Sequence, residues 1–479
     1  MGNAAGKIAA IPRQIALWFK NIPAKTVSLC KKKADSAKSF FANIKDFFSQ
    51  CDYKVLLSLV FMGAGNIAYK QYAKGIMYLL LEAMFVVYMS LLGGDYLYGL
   101  ATLGTIPSDP WSGKVGDNSI VLMLMGIITV FIIIAFIMAY VSSLRSALSA
   151  RLITLKGQSV PNFMDDVYSL SGRKFPYVAL AVPLIGVFVF SVIPIVMMIL
   201  VAFTNYGGDI EVPTDLVDYV GLDNFITVFG ATNIGSTFFK ILGWNIVWAF
   251  LSTFINYFLG LGLALLLSKK CVKGSAFWRA FPILAYAIPG FITLIGFKFM
   301  FSTMGPINYY LSDAHMHDAN IIDFLGLDST WWARGIGLFV NAWLTVPTTM
   351  LLATGILSNI QKDLYEAADI DGASKRKQFF DITLPYVIFA TTPTLISQFI
   401  GNFNNFGTFY FLRGKIESEG YFAASDTDLL INWLYNLSIS NKYYGIGAAI
   451  SLLIFIITSA FSLLVYVRSG SYKKEDTYR

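Results

Sequence analysis

The stretch "YEAADIDGASKRKQFFDITLP", Tyr365 to Pro385, is the longest clearly polar passage between two apolar runs in the C-terminal half of the chain. The runs on either side, at roughly 335–357 and 386–412, are each long enough for a bilayer, since a helix needs about 20 apolar residues to cross one. The polar passage carries helix punctuation of its own. Ser358 with Gln361 three residues later fits a capped helix start. Leu364, Ala367 and Ala368 fall on one face at i, i+3 and i+4, and Gly372 stands where helices commonly end. Ser374 fits the cap of a following helix, and Pro385 is expected to kink the next span near its entry. The expectation is a short helix within about 358–374, nearly parallel to the membrane, with Glu366, Asp369 and Asp371 on its surface.

Composition agrees with a membrane chain. Of 479 residues, 56% are hydrophobic and only 14% are charged, against roughly 25% charged in average domains. The mean hydropathy is +0.61. Eight long apolar runs stand out, at roughly 75–93, 120–140, 177–203, 242–268, 277–301, 335–357, 386–412 and 444–467. Pro183, Pro194, Pro289, Pro347 and Pro393 lie within them, which membrane helices tolerate where neighbours re-satisfy the freed backbone. A ninth run, Val55–Met62, is too short to span and is expected at the interface. The predicted fold is an all-α polytopic membrane protein of about eight transmembrane helices.

Lys and Arg concentrate in cytoplasmic loops. Residues 141–176 carry Arg145, Arg151, Lys156, Arg173 and Lys174, whereas 204–239 carry five acidic residues and no Lys or Arg. Residues 269–279 are basic again, 302–334 are mostly acidic, 358–385 contain Lys375, Arg376 and Lys377, and the tail has Lys473 and Lys474. Eight spans with both termini cytoplasmic satisfy every connection. The formal charge of +7 therefore reflects the anionic leaflet and not nucleic acid. Cys30, Cys51 and Cys271 fall on the cytoplasmic side, where free thiols are expected.

Glu366-Ala367-Ala368, Gly372, and Ile382-x-Leu384-Pro385 together resemble the EAA signature of binding-protein-dependent ABC importer permeases. The resemblance implies the type I importer architecture. It makes the short helix a coupling helix that docks on an ATPase subunit through Glu366, Ala367, Ala368, Asp371 and Gly372, with Leu384 and Pro385 behind it. "YVGLDNFITVF" (Tyr219–Phe229), "NAWLTVP" (Asn341–Pro347), "NFNNF" (Asn402–Phe406) and "TDLLINWLYNL" (Thr427–Leu437) look like the maltose/maltodextrin branch, in its larger membrane subunit. The implied organisation is a basic segment 1–54, an interfacial segment with two additional spans at 55–141, a cytoplasmic connection 142–176, a six-span core at 177–470 and a tail 471–479.

No ATP site is expected in the chain itself. Its Gly-Lys pairs, Gly6-Lys7, Gly113-Lys114 and Gly414-Lys415, lack the upstream Gly and the following Ser or Thr of a phosphate-binding loop. Ion-coupled carriers place ionisable residues at mid-membrane. Here the runs are nearly free of them: Arg279 stands at the cytoplasmic edge of the fifth, Glu82 is read as a local hydrogen-bonding residue, and Lys298 is placed to snorkel. His315 and His317, with Asp313 and Asp318, read as a solvated loop and not as a metal site. The resemblance accordingly implies no cofactor on this chain, with ATP and Mg on partner subunits. The implied partners are two copies of an ATPase subunit, a second homologous permease subunit and an external or periplasmic sugar-binding protein, in a bacterial cell membrane.

The spans hold uncharged polarity. Asn402 and Asn405 share a face with Gln398 in the seventh run, and Asn341, Thr345 and Thr348 share one in the sixth. Unpartnered Asn in hydrocarbon is costly. Two readings stand on the residues alone: hydrogen bonding between helices, or the lining of a polar cavity that suits a neutral sugar. The resemblance implies the second, with Tyr286, Asn341, Leu344, Asn402 and Asn405 in the cavity, together with Thr345, Thr348 and Gln398. Gly290, Thr345, Thr348 and Gln398 depart from the branch pattern of Ser, Gly, Tyr and Ser, which leaves sugar length open. The 204–239 connection lacks the sizeable inserted domain of some members. The implied function is translocation of maltodextrin-type oligosaccharides, with galacto-oligosaccharides or raffinose-type sugars as alternatives and an ion-coupled sugar carrier as the remote one.

Overall fold

The computed structural model describes residues 51–468 apart from 109–112, 114, 173, 270 and 314–320. The basic residues before position 51, Cys30, Lys114, Arg173, Lys270, the histidine pair and the tail lysines lie outside the described residues. Long apolar runs become long helices because a backbone in hydrocarbon must satisfy its own hydrogen bonds. Among the described residues seven helices are long and apolar enough to cross a membrane, and a bent pair, taken as one span, brings the number to eight. In chain order they are α1 (Tyr72–Thr102), α2 (Ser119–Leu155), α3 (Phe175–Val201), α4 (Asn233–Leu267), the pair α5 (Ser275–Ala287) and α6 (Gly290–Met300), and α7 (Thr330–Ser358). The short α8 (Lys362–Ile370) follows, then α9 (Lys375–Phe403). After α9 come α10 (Gly407–Leu412), α11 (Leu430–Tyr435) and α12 (Tyr444–Arg468). Among the described residues only isolated bridges, Thr204 with Tyr219 and Gly207 with Ile210, have β pairing.

Four expectations need correction. The fifth run is not one helix: α5 and α6 meet at 92°. Pro289 has no N–H to continue the ladder and holds Ile288 extended, at φ −83° and ψ 132°. The seventh helix begins at Lys375 and stops at Phe403, so the run 386–412 is broken at 404–406. There the Asn404 side chain donates to the Ile400 carbonyl and the Asn405 side-chain oxygen accepts from the Thr408 N–H. The first adds to the helical bond that the Asn404 N–H still makes to the same carbonyl, and the second supplies an acceptor to an N–H at the start of α10. The second helix runs 37 residues, to Leu155, taking in much of the connection expected to begin at 142. Finally, Ser358 ends α7 and donates to the Thr354 carbonyl, while Gln361 precedes α8 without a side-chain cap. The predicted capped start at Ser358 is therefore absent.

Proline also explains two wide turns. Five-residue π turns at Phe188–Val192 and Phe379–Thr383 end two residues before Pro194 and Pro385. Proline can neither donate to nor pack against the carbonyl four residues back, and a wider turn relieves both problems.

The chain divides into two compact units, residues 51–101 with 123–192, and residues 102–122 with 193–468. In the first, the chain before α1 folds back on α1 and α2 in short helices, Tyr53–Leu56 and Ala64–Ala68. Glu82 of α1 accepts the Met62 N–H at 2.8 Å. Ser143 of α2 accepts the Gly63 N–H at 2.9 Å, and Tyr140 donates to the Leu59 carbonyl at 2.7 Å. Glu82 thus holds the local hydrogen bond expected of it. In the second unit, α4 packs along α7 and α9. A Cβ at Gly260 would lie 2.6 Å from that of Thr349, so only glycine permits this helix approach. Tyr257, Leu261 and Ala264 of α4 pack with Met350 and Ala353 of α7 and Val387 of α9.

Candidate functional site

The α4–α7–α9 seam carries the amides. The Asn341 side chain of α7 donates to the Asn402 side-chain oxygen of α9 at 3.4 Å, and Asn405 donates to the Asn341 side-chain oxygen at 3.3 Å. Asn402 also donates to the Thr253 hydroxyl of α4 at 3.0 Å, and its main-chain carbonyl accepts from the Trp248 indole at 3.1 Å. Gln398 donates to Thr349 at 2.8 Å, one turn before Asn402 on α9. Thr348 donates to the Thr345 carbonyl on its own helix. Asn341 and Asn402 are buried. In this conformation these amides bond one another and α4.

The remaining sugar candidates lie less deeply. Thr345, Thr348, Gln398 and Asn405 are half-buried. Leu344 is also half-buried and packs with Leu294 of α6 and Val340 of α7. Tyr286 is 59% exposed on α5, and among the described residues no hydrogen bond or ring contact joins it to the amides. A cavity of about 750 Å³ between α5, α6 and α7 is lined by apolar residues such as Phe281, Ile292, Phe339 and Trp343 and by none of the amides.

Sequence reasoning missed the α4 side of the seam. Asn245, Ser252 and Asn256 are all buried, at spacings of seven and four that place them on one helix face. Asn245 donates to the Phe403 carbonyl at 3.1 Å and accepts the Leu430 N–H at 3.0 Å. Both side-chain polar atoms of Asn256, the Ser252 hydroxyl and the Gln398 oxygen are buried without a hydrogen-bond partner among the described residues. That leaves polar capacity unspent inside an apolar bundle. The spacing was readable; the uniform hydrophobicity of the run hid it.

The opposite character marks α8. None of its residues is buried. Glu366 and Asp371 are exposed and make no side-chain hydrogen bond or ion pair among the described residues. Leu364 is exposed, and Ile370, which sequence reasoning passed over, is 87% exposed. Ala367 is exposed and Ala368 half-buried. At the C-terminus the Gly372 N–H reaches the Asp369 carbonyl and the Ala373 N–H reaches the Ala368 carbonyl, with Gly372 at φ +72°. This paired arrangement terminates the helix and needs a residue tolerant of positive φ. Tyr365 bonds the Thr383 hydroxyl at 2.8 Å, and Lys375 donates to Asp369 at 2.7 Å. The Lys375 ammonium and the Gln378 amide hold the Asp369 carboxyl below its ordinary range. Leu384 packs in the α4–α7–α9 cluster, and Pro385 is exposed at the first turn after the π segment. The helix is thus fastened at its base and offers a carboxylate flanked by apolar side chains.

Beyond α9 lies a buried charged hub that sequence reasoning also missed. The Arg413 side chain is 1% exposed. It donates to the Leu325 carbonyl at 3.0 Å, to Ser425 and Thr427 at 2.8 Å each, to the Gly326 carbonyl and to Asp426. Thr330 donates to Asp426 as well, and Arg334 donates to its carbonyl. Burial raises the Asp426 carboxyl, but the bonds from Thr330 and Arg413 outweigh it and leave the group below its ordinary range. Asp428, which accepts the Ser425 N–H at 2.8 Å, is pushed up by burial to about 7. Nothing in the run of loop residues marked Arg413 as buried.

Broken spans, a polar seam within a helical bundle and an exposed two-turn helix between two spans define a polytopic permease of the importer type. Residues 256–469 match the family described as "Binding-protein-dependent transport system inner membrane component". The chain belongs to that family of multi-pass membrane permeases. It is 32% identical to the maltodextrin transport system permease protein MdxF of Bacillus subtilis (strain 168) over 432 residues, 88% of this chain and 96% of that one. It is 33% identical to the galactooligosaccharides transport system permease protein GanP of the same organism over 431 residues, 88% of this chain and 98% of that one. The maltose/maltodextrin transport system permease protein MalF of Klebsiella aerogenes is 35% identical over 261 residues, 51% of this chain and 48% of that one. In fold, a chain of the crystal structure of a bacterial ABC transporter involved in the import of the acidic polysaccharide alginate superposes with a TM-score of 0.52 at 19% identity, covering 62% of this chain and 96% of that one.

Proposed function

We propose that the chain is the larger membrane subunit of an ATP-driven importer of maltodextrin-type oligosaccharides, delivered by an external binding protein. The observation that carries the reading is α8: a short helix, capped at its end and fastened at its base, that leaves Glu366, Leu364 and Ile370 exposed. Two copies of an ATPase subunit, holding ATP and Mg, would grip it, with Glu366 accepting a hydrogen bond from the partner's cleft. A second, homologous permease subunit would complete the pathway. In this reading α8 faces the cytoplasm and both termini are cytoplasmic. The positive-inside alternation of the loops supports that orientation.

Closure of the ATPase pair pulls α8, and the motion reaches α9 through the Tyr365–Thr383 bond and the π turn before Pro385. The sugar site we assign to Tyr286, Asn341, Leu344, Thr345, Thr348, Gln398, Asn402 and Asn405. The amides that bond one another here would exchange those bonds for sugar hydroxyls, a substitution that Asn, with both donor and acceptor, can make. The unpartnered Asn256 and Gln398 groups supply further capacity.

The test is uptake of labelled maltotriose in a strain deleted for this chain, with and without the chain restored. Restored uptake that maltose and longer maltodextrins compete away supports the assignment. A second substrate class rests on a specific observation, the 33% identity to a galactooligosaccharide permease. Rescue of galacto-oligosaccharide uptake, with none for maltotriose, would transfer the assignment to that class.

A further inference from the structure

The first compact unit holds a polar cavity of about 360 Å³ between α1, α2 and the segment from Pro161 to Lys174. Lys74, Arg145 and Lys174 all line it, with Asp166 as the one carboxylate among the described residues there. The Asp166 carboxylate lies 3.4 Å from the Lys74 ammonium and 3.8 Å from that of Lys174. It is already shared by two cations, and Arg145 has no ion-pair partner among the described residues. Positive charge therefore exceeds negative in a cavity whose walls also offer the Ser142 and Tyr78 hydroxyls, 3.2 Å apart.

A second cavity, of about 370 Å³, continues from the first. It shares Ser142 and Arg145 with it and is otherwise lined by Ile137, Met138 and Val141. Met138, Val141, Ser142 and Arg145 fall on one face of α2 at spacings of three and four. Along that face an exposed apolar strip turns into a cationic pocket within seven residues, about 10 Å of helix. This is the profile of a phospholipid: acyl chain, ester region and charged headgroup in sequence.

We infer that this face binds one anionic phospholipid, its phosphate held by Arg145, Lys174 and Lys74 and its acyl chain laid along Ile137–Val141. The guanidinium fork matches two phosphate oxygens, and the lysines add point charges. Basic pockets between membrane helices suit acidic headgroups for this reason. A soluble anion would answer the charge but leave the adjoining apolar groove unused, and a zwitterionic lipid would fill the groove but bring its own cation to a site already rich in them. The inference requires only that the chain sits in a bilayer, so it stands apart from the sugar assignment.

The test is native mass spectrometry of the purified full chain, titrated with phosphatidylglycerol or with phosphatidylcholine of the same acyl composition. One phosphatidylglycerol should be retained about ten-fold more tightly than phosphatidylcholine. The double variant Arg145→Gln, Lys174→Gln should bring the two lipids level, whereas Arg145→Lys should keep most of the preference. Met138→Asp leaves the cations intact and should weaken retention of both lipids; it decides the matter if the double variant does not fold. Equal retention of the two lipids by the unaltered chain overturns the inference. So does a preference that survives the double variant, or displacement of phosphatidylglycerol by equimolar inorganic phosphate, which would mark a soluble-anion site.

Discussion

Two polar segments sit at the two ends of α9, and they are built on contrary principles. The segment after α10 buries Arg413 and spends its donors on three carbonyls, two hydroxyls and a carboxylate. The segment before α9 leaves every residue of α8 unburied. Buried charge is tolerable only when fully partnered, so the first segment is complete within this chain. The second retains exposed apolar and acidic groups that the chain does not use. A self-sufficient segment fixes structure, and an unfinished one is shaped for another surface.

The largest effect should come from the finished segment. Arg413→Ala removes one member of a buried pair and strands Asp426 and the 325–327 carbonyls, with a cost of about 3–5 kcal/mol. The expected result is a clearly lower unfolding midpoint in detergent and new proteolytic cleavage between 413 and 429. An unchanged midpoint would dissolve the contrast. The amide seam should follow: Asn402→Ala should lower stability by about 1 kcal/mol, the range for interhelical polar bonds in membranes. Adding Asn405→Ala should reduce sugar uptake further than stability explains while basal ATPase of the assembled transporter persists. Undiminished uptake would leave these residues as helix-to-helix bonds alone.

Asp428 sharpens the comparison through pH. Its carboxyl releases a proton at about 7 when folded, against an ordinary 3.8. The folded state thus favours the protonated form. The penalty is absent below pH 3.8, grows as pH rises and is complete above about pH 7. Asp428→Asn, whose side-chain oxygen can still accept the Ser425 N–H, should raise the unfolding midpoint at pH 8 and change little near pH 4. An equal effect at both values would show that burial of this carboxyl carries no proton linkage.

The seam and the hub also show what can be read from residues. Hydrophobic length is a property of twenty-residue windows, so the long helices were legible, as was Gly372 as the stop of α8. The α5–α6 break had its signal in Pro289. The α9–α10 break had a local signal too, which the hydrophobic length of 386–412 masked: Asn404 and Asn405 bond main-chain groups four residues back and three residues on, as Asn readily does. Arg413 lies 88 residues from its acceptor Leu325, and burial produced by such distant segments leaves no local trace. Asn341, Asn402 and Asn405 were legible as a polar group because Asn is conspicuous in a span. Their partner Thr253 was not, because threonine is unremarkable there.

The smallest expected effect on stability is the one that tests the unfinished segment. Glu366→Ala removes an exposed carboxylate with no side-chain partner among the described residues, on a helix already closed by Gly372 and tied by Tyr365. Surface changes away from caps and networks stay within about 0.5 kcal/mol, so the unfolding midpoint and the amount of chain in the membrane should not move. If α8 couples to an ATPase subunit as proposed, sugar-stimulated ATPase of the assembled transporter should nonetheless fall, because the lost group would belong to a contact made only with that partner. Lys375→Ala provides the control: it frees Asp369 from an exposed ion pair but leaves Glu366 in place, and it should spare ATPase stimulation. If Glu366→Ala lowers the midpoint, the carboxylate serves the fold; if it alters neither midpoint nor ATPase, α8 is a solvated connection and the contrast between the two ends of α9 carries no functional meaning.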